Sequence, residues 1–463
     1  MMHRHKTETQ HERMTEKALP SLMLQIGLPS AIAMVVTALY SLADAMFVSK
    51  LGTDASAAVG VSFTIQATVQ AVAYTLGVGA GSLLSRALGE KDVTTASKYA
   101  RVALFLSIVT GICISFIGLV SGKTLIRTLG ATEAIMEPSM QYSRYLLLSA
   151  PFMCASFVSS QLLRAEGKAL YSMFGLLVGS VLNIILDPIL IYHLSLGIAG
   201  ASIATLISQI VSSLILISAY FLRQSEIQLF RGFSIFDFSQ TGRILVSGLP
   251  SSGRQGLSAL ATVFFNRAIG AWGESAIAAI SIVTRLFLLA FAFCLGIGQG
   301  MMPIAGYNYG YKRYDRVRKA FLYALFSSSL LMFILSLPFL FCAPSLIAFF
   351  RNDPEVIKIG APALRAIGYI LPLHGTITCI TMLMQAIGKQ AKATVLACAR
   401  QGFFFFPLLY ILPRLLRFDG LIWVQPISDA FTFLLCIPFV FQVLKHLKEK
   451  IITTRQTGGM HKG

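Results

Sequence analysis

Long apolar stretches, each of about twenty residues or more, alternate with short polar segments along almost the whole chain. Twelve are present, over residues 22–48, 55–84, 101–121, 140–163, 170–192, 197–222, 244–268, 275–304, 320–343, 360–385, 393–413 and 420–444. Each is long enough to cross about 30 Å of hydrocarbon as an α-helix. The pattern predicts an all-α membrane protein with twelve transmembrane helices. The first 20 residues are polar and contain no short apolar run with a small-residue cleavage site. The first helix is therefore expected to act as its own insertion signal.

The pattern also repeats. Shifted by 221 residues, Gly27-Leu28-Pro29-Ser30 falls on Gly248-Leu249-Pro250-Ser251, Gly89 on Gly310, Arg144 on Arg365, Pro151 on Pro372, and Gly167-Lys168 on Gly388-Lys389. With a two-residue slip, the glycine run 76–81 meets 295–300. Matches spread over half the chain at one offset indicate duplication. Each half holds six spans, an even number, so both enter the membrane from the same side as a parallel 6+6 repeat. The expected organisation is a tail (1–21), a first six-helix lobe (22–222), a linker (223–243) containing Arg231, Gly232 and Asp237, a second lobe (244–444) and a second tail (445–463). Two such lobes enclose a central cavity, and rocking one against the other gives alternating access.

Composition agrees: 55% of residues are hydrophobic and 13% charged, against about 25% charged in soluble domains. The net charge of +18 would suit nucleic acid, but its distribution does not. With the N-terminus placed in the cytoplasm, 25 of the 38 Lys and Arg fall in cytoplasmic segments and 8 in outer loops. The remaining five are Arg144, Arg254, Arg285, Arg365 and Arg400, in or at the edges of spans. This is the positive-inside distribution, with both termini inside. The seven cysteines all lie in apolar spans without a CxxC pair and read as small buried hydrophobes.

Against this apolar background two acids stand out. Asp44 lies near the outer end of the first span and Asp187 near the outer end of the fifth, both roughly 6–8 Å inside the boundary. A carboxylate at bilayer depth costs roughly 2.5–3.5 kcal/mol on insertion scales and marks a functional site. Asn183 lies one turn deeper on the face of Asp187, Thr205 enters from the sixth span, and Tyr40 lies one turn below Asp44. Two carboxylates, an amide carbonyl and a hydroxyl are hard oxygen ligands suited to Na⁺. They suit a proton equally, because neighbouring carboxylates repel unless a positive charge joins them. Pro188 removes a backbone hydrogen bond beside Asp187 and favours a kink there. Asn183 and Thr205 taken alone read as ordinary helix-packing residues; four polar groups at one depth do not.

The second half lacks these acids: the shift carries Asp44 to Phe265, Asn183 to Phe404 and Asp187 to Leu408. Its own acid, Asp429, reads as the partner of a nearby arginine. Arg254, Arg285, His374 and Phe404 are candidates for the substrate cavity, the arginines for an anionic group and the Phe403–Phe406 run for a flat organic molecule. A phenylalanine run facing lipid is the plainer reading.

The run Asp44-Ala45-Met46-Phe47-Val48-Ser49-Lys50-Leu51-Gly52 resembles the end of the first helix in the multidrug and toxic compound extrusion (MATE) family. So do residues 77–82 (GVGAGS), 86–92 (RALGEKD), 298–303 (GQGMMP) and 306–310 (GYNYG), the last two being similar to its MepA-like bacterial branch. The resemblance covers roughly residues 20–445. It implies a Na⁺- or H⁺-coupled antiporter, without a cofactor, that expels small amphipathic cationic molecules from the bacterial cytoplasmic membrane as a monomer in contact with membrane lipid and without nucleic acid. It also implies a cation site in the first lobe, matched here by Asp44, Asn183, Asp187 and Thr205 with an accompanying Tyr40. Some relatives place an acid in the seventh helix, where this chain reads Ser252-Gly253-Arg254-Gln255-Gly256. A lipid-linked-sugar flippase of the same superfamily is the alternative, with Arg254 and Arg285 holding pyrophosphate. No GxxxxGK[ST], DDxxD or HExxH motif is present, which argues against ATP-driven transport and intramembrane enzymes.

Overall fold

The computed structural model describes residues 10–222, 225–229 and 239–459. Arg231, Gly232 and Asp237 of the expected linker lie outside the described residues. A short helix, α1 (Gln10–Thr15), precedes α2 (Leu19–Ser49), α3 (Thr53–Gly89), α4 (Val93–Thr128), α5 (Glu133–Ala165), α6 (Ala169–Pro188) and α7 (Gly197–Phe221). The second half contains α8 (Ser239–Gly270), α9 (Glu274–Gly310), α10 (Tyr314–Phe341), the short α11 (Ala343–Phe350), α12 (Pro354–Ile370), α13 (His374–Ala386), α14 (Gln390–Cys398) and α15 (Phe405–Gly459). A 3₁₀ turn joins α12 to α13, a π turn joins α14 to α15, and the backbone reverses inside α15 at Arg417. The result is twelve spanning units in two six-helix lobes.

Several helices run well beyond the apolar stretches that announce them; α3 and α9 each have 37 residues. At 1.5 Å per residue each is about 55 Å long, so its ends stand in water. The eighth helix, α8, is the least obvious span, because Arg243, Arg254 and Arg267 interrupt its apolar pattern.

The first-lobe helices are apolar outside and polar within. In α6 the buried residues are Ala169, Ser172, Gly175, Gly179, Ser180, Asn183 and Asp187, while Leu170, Phe174, Val181 and Ile185 are exposed. Lipid solvates the large side chains, and small residues let the helices approach closely. Cys113 and Cys342 also face outward, contrary to the expectation of burial; all seven cysteines are free.

The first described helix and the last turns of α15 lie at one face of the bundle, where His11 meets Tyr311 and Lys450 lies over Tyr309 and Tyr314; it is termed here the terminal face. There α1 spans the two lobes. Gln10 donates to the Glu166 carbonyl at 2.6 Å, and His11 lies 2.9 Å from the Tyr307 hydroxyl. The Met14 carbonyl accepts from Asn308 and Arg316, each at 3.0 Å. In this half one continuous apolar core runs through both lobes, from Ile26 and Leu84 to Met301 and Val317. In the opposite half the core divides: one cluster gathers around Val48, Ile65 and Met136, the other around Ile280, Met332 and Ile347. The lobes are joined at the terminal face and separate beyond it.

Glycines make the joint. A Cβ on Gly300 would meet the Gly27 backbone at 2.5 Å, and one on Gly248 would strike the Thr75 carbonyl. Thus α2 packs on α9 as α8 packs on α3, which is pseudo-two-fold pairing of equivalent helices. The residues that revealed the repeat in the sequence are the seam between its copies.

Candidate cation site in the first lobe

Four helices supply the groups. Asp44 stands on α2, Tyr142 on α5, Asn183 and Asp187 on α6, and Thr205 on α7, all buried. The Tyr142 hydroxyl donates to Asp44 Oδ2 at 3.2 Å. Asn183 Nδ2 lies 3.4 Å from Thr205 Oγ1 and 3.5 Å from Asp187 Oδ1. Tyr142 is within electrostatic reach of Asp44, Asp187 and Tyr40, and Asp44 of Asp187. Tyr40 accepts from Gln66 of α3 at 3.2 Å.

Local sequence explains the arrangement. Asn183 and Asp187 share the buried stripe of α6 through their i, i+4 spacing. Pro188 cannot donate to Ile184, and the helix then widens into a π turn, Ile189–His193, closed by Leu194 N–H to the Ile189 carbonyl at 2.9 Å. The turn lets the Tyr192 hydroxyl donate to the Phe47 carbonyl at 2.7 Å, tying the end of α6 to the end of α2.

Asp44 Oδ1, Asn183 Oδ1 and Asp187 Oδ2 are buried and have no hydrogen-bond partner. Each is an acceptor from a different residue, and buried acceptors are normally satisfied. Three such oxygens beside a hydroxyl form a donor set for a small hard cation or for shared protons. With two carboxylates and no Cys or His among these groups, the set does not suit a transition metal. Below it, a cavity of about 40 Å³ is lined by Tyr40, Asn183, Thr205, Ser208, Gln209 and Ser212. It has room for an ion and a few waters, far below the several hundred Å³ that a drug requires.

Tyr142 and Gln66 were not singled out by sequence reading. Tyr142 lies in the fourth span among many aromatic residues, and only packing aims its hydroxyl at Asp44.

The expected second-lobe cavity residues are not gathered together. Arg254 alone of the four lines the inter-lobe cavity, which includes Gln161, Arg164, Gln299 and Gln385. His374 belongs instead to a buried charge cluster: its Nε2 is 3.2 Å from Asp429 Oδ2, and Arg400 Nε donates to Asp429 Oδ1 at 2.7 Å. Phe287 and Phe291 lie against the Arg400 guanidinium, 5.3 and 5.1 Å away. The 3₁₀ turn Leu371–Leu373 and the π turn Ala399–Phe403 set His374 and Arg400. Phe404 packs on Phe431 at 5.6 Å and Phe405 on Phe265 at 5.9 Å. Arg285, which the alternative reading pairs with Arg254, is not among the residues that line the inter-lobe cavity.

Twelve helices in two like lobes, with polar groups buried inside each, define a multi-pass membrane transporter with a two-lobe repeat. The chain belongs to the MatE family, which it matches over residues 29–189 and again over 250–411. The two matches begin 221 residues apart (250 − 29), the offset found within the sequence. Among its relatives, the multidrug export protein MepA of Staphylococcus haemolyticus is 27% identical over 93% of this chain and 95% of that protein. A MATE crystal structure in complex with MaL6 is similar with a TM-score of 0.90 and 28% identity, over 96% of this chain and all of that one. An outward-facing multidrug resistance MATE transporter of the MOP superfamily gives 0.88 at 29% identity, over 96% and 99%.

Proposed function

We propose that this protein is a multidrug efflux antiporter of the bacterial cytoplasmic membrane, driven by entry of Na⁺ or H⁺ through the first lobe. The multidrug function of the staphylococcal relatives supports the cargo, and the charge distribution along the sequence supports cytoplasmic termini. One observation carries the coupling: Asp44, Asn183 and Asp187 each leave one buried oxygen without a hydrogen-bond partner.

The physical logic is electrostatic. Asp44 and Asp187 repel within a buried site until a cation or proton joins them. Binding then draws α2 toward α6, and the π turn after Pro188 supplies a place where α6 can change its bend. Because α2 also forms the inter-lobe seam with α9, a change in its bend reaches the joint between the lobes. An ion that binds one arrangement 100-fold better shifts the equilibrium by about 2.7 kcal/mol. Drug and ion then favour opposite arrangements, which is antiport.

The test is dye efflux from proteoliposomes under separately imposed Na⁺ and H⁺ gradients. Asp44→Asn and Asp187→Asn should abolish gradient-driven efflux while leaving drug binding measurable. Full gradient-driven efflux in both variants would refute the coupling assignment.

A further inference from the structure

Where the lobes meet, a second small cavity sets two arginines, three glutamines and three serines among apolar residues such as Val78, Met302 and Met382. Its walls come from α3 (Ser82, Ser85), α5 (Gln161, Arg164), α8 (Ser251, Arg254), α9 (Gln299) and α13 (Gln385). Arg164 is 2% exposed; its two terminal nitrogens donate to Gln299 and Ser160, and its Nε has no partner. Gln161, 7% exposed, likewise leaves its Nε2 unpartnered. Among the described residues no carboxylate lies within 4 Å of Arg164 or Arg254. The cavity walls contain no Asp or Glu. Both arginines line this one cavity, so they address the same region.

A buried guanidinium without a counter-charge costs several kcal/mol, and buried charges are ordinarily paired. Arg400 in the second lobe follows that rule with Asp429. Buried Arg164 does not, half-buried Arg254 beside it has no carboxylate partner either, and the groups left without a partner, Arg164 Nε and Gln161 Nε2, are N–H donors. We infer that Arg164 and Arg254, with Gln161, form an anion subsite at the seam between the lobes. The cavity, about 30 Å³, holds a carboxylate-sized group or a halide but not a whole drug. Its occupant is a compact anion: the acid group of an amphiphilic substrate received when the lobes part, or a free inorganic anion. Zwitterionic amphiphiles then join cations as cargo. This rests on the transport reading above.

The experiment compares a carboxylate-bearing amphiphile with its methyl ester in proteoliposomes, for the wild type, Arg254→Gln and Arg254→Lys. Losing one charged hydrogen-bonding partner should raise the acid-to-ester ratio of KM about tenfold in Arg254→Gln. Arg254→Lys should restore much of the preference. Replacing chloride by gluconate separates the sources: a free-anion site makes wild-type transport of the ester chloride-dependent, and Arg254→Gln removes that dependence. An unchanged ratio together with no chloride dependence overturns the subsite. Failure of the wild type to move either compound overturns the efflux reading instead. Calorimetric titration of the purified full-length protein with acid and ester then still decides the subsite: a wild-type preference for the acid, diminished in Arg254→Gln, upholds it, and equal affinities overturn it.

Discussion

Asp44, like Asp187, has one oxygen held and one free. Tyr142 holds Oδ2, leaving Oδ1 for a ligand. A hydrogen bond to a charged group is worth roughly 1.5–3 kcal/mol, partly by fixing the geometry that a ligand meets. Tyr142→Phe keeps the ring and its packing but loses the donor. The driving-ion concentration for half-maximal efflux is expected to rise about tenfold, with thermal stability in detergent nearly unchanged. An unaltered ion dependence would remove Tyr142 from the site. The contrast with Asp429 is instructive. That carboxylate is satisfied by Arg400, by Gln425 at 2.8 Å and by its approach to His374, so its buried charge is neutralised within the protein.

Among elements, the helices divide into those fixed by their ends and those shaped by internal breaks. At the start of α4, Asp92 Oδ1 accepts from the Thr95 N–H at 2.9 Å. The Thr95 hydroxyl and N–H, with Lys98 nearby, hold the Asp92 carboxyl below its ordinary value of 3.8. A lowered folded-state value means stabilisation that is complete above 3.8 and lost as pH falls through the folded value. Asp92→Ala should therefore cost about 1 kcal/mol in thermal unfolding at neutral pH, and the gap should close below about pH 4. A gap that persisted in acid would mean that something other than the cap is lost. The breaks in α6, in the α12–α13 unit and in the α14–α15 unit each fall beside a buried charged or titratable side chain: Asp187, His374 and Arg400. The break at Pro188 was legible beforehand, because proline leaves a mark in sequence, and Pro372 leaves the same mark in the 3₁₀ turn. The π turn at Ala399–Phe403 contains no proline, and nothing in its composition announces it.

For the molecule as a whole, the seam is where stability and motion compete. Its closed half depends on glycines that let helices from opposite lobes touch backbone to backbone. Gly300→Val would drive a branched side chain into Gly27. The expected result is a population shifted toward opening at the terminal face. The readout is labelling of Ser85→Cys by a membrane-impermeant maleimide, with the exposed Cys113 and Cys342 replaced. Labelling should increase in the Gly300→Val background; unchanged labelling would mean that this seam is not the closed gate. The short helix α1 lies across the same seam and touches both lobes, which adds polar contacts that must break when the terminal face opens.

By itself the sequence determined the number of spans, their order and the internal duplication, and it singled out Asp44 and Asp187. These follow from one-dimensional quantities: the length of an apolar run, its period and its offset from a copy. It also placed Asn183 with Asp187, because four residues along a helix fix a shared face. Only the tertiary structure decided which side chains from different helices meet. Tyr142 on Asp44, Arg400 with Asp429, and the separation of Arg285, His374 and Phe404 from Arg254 depend on how helices rotate and tilt as they pack. A few tens of degrees of rotation move a side chain from lipid to interior, and apolar composition on every side leaves that rotation unspecified. Asp44 and Asp187 could thus be found by reading along the chain, whereas the unpaired arginines of the seam emerge only when both lobes are in place.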